Sequence, residues 1–121
     1  MIKVKITERG WAGHYILCHQ CLFRRNTLIE YKDKKIVVST VGAERQDDGT
    51  YKEIGPGRYF ETMAFHTKDE DNRYYDIDVT KPVTFNSKWK IEKLDADDKA
   101  NVMHDKVVKE LSDKIRNKGD I

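Results

Sequence analysis

The spacing of apolar residues changes once along this chain, and that change constrains the fold more than any motif does. Up to Trp89, apolar side chains alternate with polar ones or gather in short β-branched runs. Beyond it, Ala100, Met103, Val107, Leu111 and Ile115 recur every three or four residues. The first spacing is that of strands and the second is one face of a helix. Strands followed by one long helix give an α+β fold with a mostly antiparallel sheet. We expect a sheet of about six to eight strands within residues 2–90 and a single long helix over about 97–117, in a helical region 95–118. At 121 residues the chain suits one domain, 1–121, with room for a core.

Turn residues divide the first part. IKVKIT alternates as a half-buried strand, GWAG is a turn, and HYILCHQCLF reads as a long strand. TLIEY and KIVVSTV form a hairpin closed around Lys32-Asp33-Lys34. Asp48-Gly49 leads into TYKEI, and Gly55-Pro56-Gly57 breaks the chain again. RYFETMAFH and RYYDIDV make a further hairpin across KDEDN, and Pro82 places PVTF at a strand start or on an edge. Asp95 or Asp97 caps the helix, whose last turn carries Lys114, Arg116 and Lys118 against the negative end of the dipole.

Within this pattern CLFRRNTLIEY poses a physical question. Neighbouring side chains of a strand point to opposite faces, so Arg24 and Arg25 cannot both face the same medium. A buried guanidinium without a partner is very costly. Either one arginine meets a phosphate or a carboxylate across a subunit boundary, or Arg25 pairs with Glu30 or Glu8 of its own chain. With 23 basic and 21 acidic residues the chain is too balanced for bulk polyanion binding, so no DNA partner is expected, whereas a small anion in a local pocket is compatible. No apolar run reaches roughly the 18 residues a membrane span needs, and no signal-like segment opens the chain. The expectation is a soluble intracellular protein. So polar a composition, 36% charged, also suggests burial completed by a homo-oligomer.

Catalytic and metal motifs are weak. Cys18-His19-Gln20-Cys21 is half of a zinc knuckle, and in a strand its two thiols point apart, so small buried hydrophobes are the plainer account and no metal or cofactor is expected. His104 reads as a packed or partly exposed helix residue, with no nucleophile at recognisable spacing. Glu61, Asp76 and Asp78 read as the solvent face of a hairpin rather than a metal cluster. Aromatic residues beside arginine and asparagine suit a nucleotide better: Phe23 with Arg24, Arg25 and Asn26, Tyr59 with Arg58, and Phe85 with Asn86. A ring stacks on a base, an amide reads its edge and a guanidinium holds phosphate.

Taken in order, ITERGWAGHY, CLFRRNTLIEY, VVSTVG, GRYFETMAFH, YYDIDV and KANVMHDKVV resemble a family of small phage proteins, the first described type of Thoeris anti-defence sponge. The resemblance implies a phage- or prophage-encoded protein of the host cytoplasm, not an enzyme. It would sequester cyclic ADP-ribose signals, notably glyco-cyclic ADP-ribose, without cleaving them, and so block host immune signalling. It also implies homodimers or larger homo-oligomers, and for some members cyclic di- or trinucleotides at a second site. Carried over residue by residue, Arg58 would take phosphate, and Phe85 and Asn101 would take adenine. Lys114 and Lys118 would reach in from the partner subunit, where the family pattern leads one to expect arginines, and lysine lacks the bidentate fork. Arg24, Arg25 and Asn26 would serve the second site or the subunit contact. A chain cut before Asp97 should then lose both dimer and ligand. The competing readings are a phage inhibitor that binds a host defence protein directly, in the manner of an anti-CRISPR, an enzyme that degrades the signal, and a structural phage protein.

Overall fold

The computed structural model describes residues 3–9, 14, 21–53, 59–68, 75–89 and 97–118. Among these residues six strands and one helix follow in order: β1 (Lys5–Glu8), β2 (Cys21–Tyr31), β3 (Lys34–Arg45), β4 (Tyr51–Lys52), β5 (Phe60–Thr67), β6 (Ile77–Val83) and α1 (Asp97–Lys118). The fold is α+β, with every described strand pairing antiparallel. Five strands run β1-β2-β3-β5-β6 across the sheet, and the two-residue β4 adds to β3 beside this path. The expected six to eight strands slightly exceed this five-strand sheet. Part of the difference is that Cys21–Phe23, read as the end of one strand, and TLIEY, read as another, lie in the single strand β2.

Hairpin β2–β3 is the spine of the sheet. Its register runs from Cys21↔Glu44 to Tyr31↔Lys34, and the turn at Lys32-Asp33 is closed by Lys32 in the left-handed region, φ 53°. A residue with a Cβ pays for that conformation, so the turn is held by the strands more than by its own chemistry. β6 lies at one edge, and Pro82 falls near its end rather than its start. An edge tolerates the missing N–H there.

Alternation then sorts the side chains. Ile29, Ile36, Val38, Ala64 and Val83 face α1 and meet its buried stripe Met103, Val107, Leu111 and Ile115. The helix face expected from the sequence is the one that is buried. Phe23, Phe60 and Ala100 form a second cluster, with Trp89 packed against both. Gly42 makes this possible, because a Cβ there would lie 2.1 Å from the Phe60 ring. The opposite sheet face is buried as well: Leu28, Val37, Val41 and Phe65 are each at most 4% exposed, and His14 packs there against Phe65 with ring centroids 5.8 Å apart.

Candidate ligand groove beside Trp89

After β6 the chain crosses α1 and is fastened to it. The backbone N–H groups of Asn86 and Ser87 donate to the Glu110 carboxylate at 2.6 and 2.9 Å, and the Ser87 hydroxyl adds a third bond at 2.8 Å. Burial pushes the Glu110 carboxyl up, but these bonds bring it below its ordinary value. The crossing puts Lys88 and Trp89 over the N-terminal half of the helix. There they line, with Asp98, Lys99, Val102, Met103 and Lys106, a groove of about 330 Å³. That volume lies at the lower end of the range for small-molecule sites. Three ammonium groups face one carboxylate around an apolar floor, which suits a planar anion.

Trp89 is held from two sides. Phe60 stacks on it with ring centroids 5.8 Å apart and 21° between planes, and its indole Nε1–H donates to Thr62 Oγ1 at 3.2 Å. With the N–H turned inward, the indole offers the groove carbon surface rather than a donor. Thr62 belongs to a buried polar row on the helix side of the sheet. Thr40 Oγ1 lies 2.7 Å from Thr62 Oγ1 and 2.8 Å from His104 Nδ1. His104 Nε2 lies 2.7 Å from Thr27 Oγ1, which donates to Glu8 Oε2 at 2.7 Å. His104 is fully buried, and that burial, with the Arg25 cation nearby and Glu8 and Asp105 partly opposing, lowers its pKa to about 4.

The two arginines now have their answer. Arg24 is exposed on the face away from α1. Arg25 points the other way and takes the within-chain alternative: Nη2 binds Glu8 Oε2 at 2.7 Å, and Nε reaches Oε1 at 3.4 Å. Its Nη1 meets Asp105 Oδ1 at 2.8 Å and Asn101 Oδ1 at 3.3 Å. Burial opposes the Arg25 charge, but these carboxylates raise its pKa overall. For Glu8, burial raises the pKa and the bonds from Arg25 and Thr27 bring it below the ordinary value.

Arg25 and Asn101 thus meet, but among the described residues the other expected ligand residues do not join them. Asn26 is buried on the second face, where its Oδ1 accepts from Arg9 Nε at 2.8 Å. Phe85 is half-buried against the main core. Asn101 and Lys114 are thirteen residues apart on one helix, roughly 20 Å along its axis. Lys118 is exposed at the helix end. Arg58, Cys18 and the Gly55-Pro56-Gly57 turn lie outside the described residues. No sequence motif singles out Lys88, Lys99 or Lys106, and Trp89 stands only among the aromatic residues expected mostly in the core. Lys-Trp-Lys at 88–90, and Lys99, Met103 and Lys106 at helical spacing, were the signals available.

A second polar set lies on the opposite face. His14 Nε2 is 2.7 Å from Glu61 Oε1, and Nδ1 is 2.9 Å from Ser39 Oγ. Serine, histidine and carboxylate are the parts of a nucleophile and its base. Here Ser39 is wholly buried and its Oγ also accepts the His14 backbone N–H at 3.1 Å. The set therefore fastens residue 14 to the sheet. Glu61 belongs to this clasp rather than to a plain solvent face. Among the described residues no group of three His, Cys, Asp or Glu could hold a metal, and no helix is long and apolar enough to cross a membrane. Comparison with family models, curated proteins and solved structures finds no match to this chain.

Proposed function

We propose that this chain binds a small anionic nucleotide in the groove beside Trp89 and withholds it without cleaving it. The ligand to test first is the cyclic ADP-ribose-type signal that the sequence resemblance implies, which makes the protein a phage anti-defence sponge. The observation that carries the reading is the groove wall, an indole surface among Lys88, Lys99 and Lys106. Stacking suits a base, and ammonium groups suit phosphates. The described lining offers cations and apolar contact rather than a nucleophile with its base, which favours binding over turnover.

Capture of a scarce signal calls for a nanomolar dissociation constant, about 12 kcal/mol, and so for near-complete enclosure of the ligand. A second copy of the chain laid over the groove would supply the missing wall, with Lys114 and Lys118 as the side chains it would bring. Calorimetric titration with glyco-cyclic ADP-ribose, then heat denaturation and chromatography of the supernatant, tests the proposal. Tight saturable binding with intact ligand recovered supports it, and Lys99→Glu with Lys106→Glu should then weaken binding at least about tenfold. Turnover of a molar excess would replace the sponge by an enzyme. Absence of binding would leave the direct inhibitor of a host protein as the reading to pursue.

A further inference from the structure

We infer that His104 is a positioning residue for the groove: through Thr40 and Thr62 it fixes where the Trp89 indole lies. The use of that position rests on the groove reading above, whereas the positioning itself does not. The protons available along the buried row fix its direction. Trp89 Nε1 can only donate, and an ionised Glu8 can only accept. Each threonine hydroxyl has one proton to give.

From the Glu8 end, Thr27 gives its proton to Oε2 at 2.7 Å, so its oxygen must accept from His104 Nε2–H at 2.7 Å. In neutral His104 the other ring nitrogen, Nδ1, is then an acceptor, and Thr40 gives its proton there at 2.8 Å. Thr40 has nothing left to offer Thr62, so the Thr62 hydroxyl donates to Thr40 Oγ1 across 2.7 Å. The Thr62 oxygen in turn accepts the indole N–H at 3.2 Å. Every donor points one way, from Trp89 to His104 and from His104 to Glu8, and only the Nε2–H tautomer lets both halves close.

The row spans the protein from the Arg25–Glu8–Asp105 cluster on one side of α1 to the groove wall on the other. Thr40 and His104 are fully buried, and Thr27 and Thr62 are 2% and 6% exposed, so water is a poor substitute for a missing member. Removing the imidazole leaves Thr40 without an acceptor. Its hydroxyl then turns to Thr62 Oγ1, the Thr62 proton loses its acceptor and must swing out of the row, and the anchor of the indole is loosened. The Phe60 stack remains, so Trp89 stays in place but gains freedom to rotate out of its groove-facing position.

Nitrogen-15 NMR of the full chain, together with indole N–H exchange, tests this. Wild type should show neutral His104 protonated on Nε2 and a slowly exchanging Trp89 indole. His104→Leu and Thr62→Val should each speed that exchange about tenfold, the worth of one buried hydrogen bond. Both should weaken glyco-cyclic ADP-ribose binding by a similar factor. His104→Gln, whose amide can accept at one atom and donate at the other, should restore both to within about threefold. A neutral Nδ1–H tautomer, or a folded His104→Leu whose Trp89 exchange is unchanged, would overturn the inference. Should His104→Leu not fold, Thr40→Val decides, because it keeps the shape and removes only the hydroxyl that joins His104 to Thr62: unchanged Trp89 exchange there would overturn the inference. If the wild type binds no nucleotide, the groove reading fails while the tautomer and exchange data still judge His104.

Discussion

Mild acid should unlock this protein through His104 before it protonates the structural carboxylates. The imidazole is held neutral: it is wholly buried, and Nδ1 is already used as an acceptor of the Thr40 hydroxyl. Charged Arg25, Glu8 and Asp105 face it, the first opposing its protonation and the other two favouring it, and the net pKa is about 4 rather than 6.5. Between those values the unfolded chain binds a proton that the folded chain refuses. The stability this confers is complete above pH 6.5 and is lost as pH falls toward 4. In full it comes to about 3 kcal/mol, of which about 2 kcal/mol is gone by pH 4.5. Urea denaturation of the wild type and His104→Gln at pH 7, 5.5 and 4.5 measures it. Glutamine does not titrate, so the wild type should lose about 2 kcal/mol against the variant across that interval. Glu8 and Glu110, whose pKa values are lowered, contribute above the ordinary carboxylate range and are lost only at lower pH, in both proteins. Parallel pH profiles for the two proteins would refute a neutral, proton-refusing His104.

Other substitutions probe the remaining supports. Gly42→Ala drives a methyl into the Phe60 ring and should cost about 1–3 kcal/mol in urea denaturation, with a shift in the Trp89 indole resonance that reports the lost stack. Leu111→Ala, fully buried between helix and sheet, should cost about 2–5 kcal/mol. Arg25→Ala should cost about 1 kcal/mol by breaking a half-exposed cluster, while the exposed Arg24→Ala should leave the unfolding midpoint in place. Lys32→Gly should raise stability by up to about 1 kcal/mol, because glycine accepts the left-handed turn conformation without penalty.

What the sequence made legible follows from how far apart the interacting residues lie. The stripe from Ala100 to Ile115 announces its own burial, since helical spacing is a local property. Hairpin β2–β3 is equally local, and alternation alone sent Arg24 and Arg25 to opposite faces. Which carboxylate Arg25 meets is another matter. Glu8 was within reach of reasoning, as one of two candidates on neighbouring strands. Asp105 is 80 residues away and becomes a partner only once α1 is laid across the sheet. The buried row has the same character: Thr27, Thr40, Thr62 and His104 come from four elements, and a threonine within a β-branched run reads as a strand former, whatever its hydroxyl does. The groove too is a product of assembly, with one wall on the crossing segment and the other on the helix.

That assembly bears on how the function must be tested. The same helix supplies the core stripe, the polar row through His104 and one wall of the groove. Deleting it before Asp97 would bare Ile29, Ile36, Val38, Ala64 and Val83, so the sheet would aggregate or unfold whether or not a ligand ever bound. Loss of binding in such a truncation therefore says nothing about a pocket shared with a partner subunit. The faces of α1 separate the roles. Val107, Leu111 and Ile115 carry stability, while Lys99, Val102 and Lys106 are exposed beside the groove. Charge reversal at Lys99 and Lys106 should leave the unfolding midpoint within about 0.5 kcal/mol of wild type while weakening capture of an anionic nucleotide at least about tenfold. A midpoint that falls along with binding would show that these lysines serve the fold, and the groove would lose its claim to be the site.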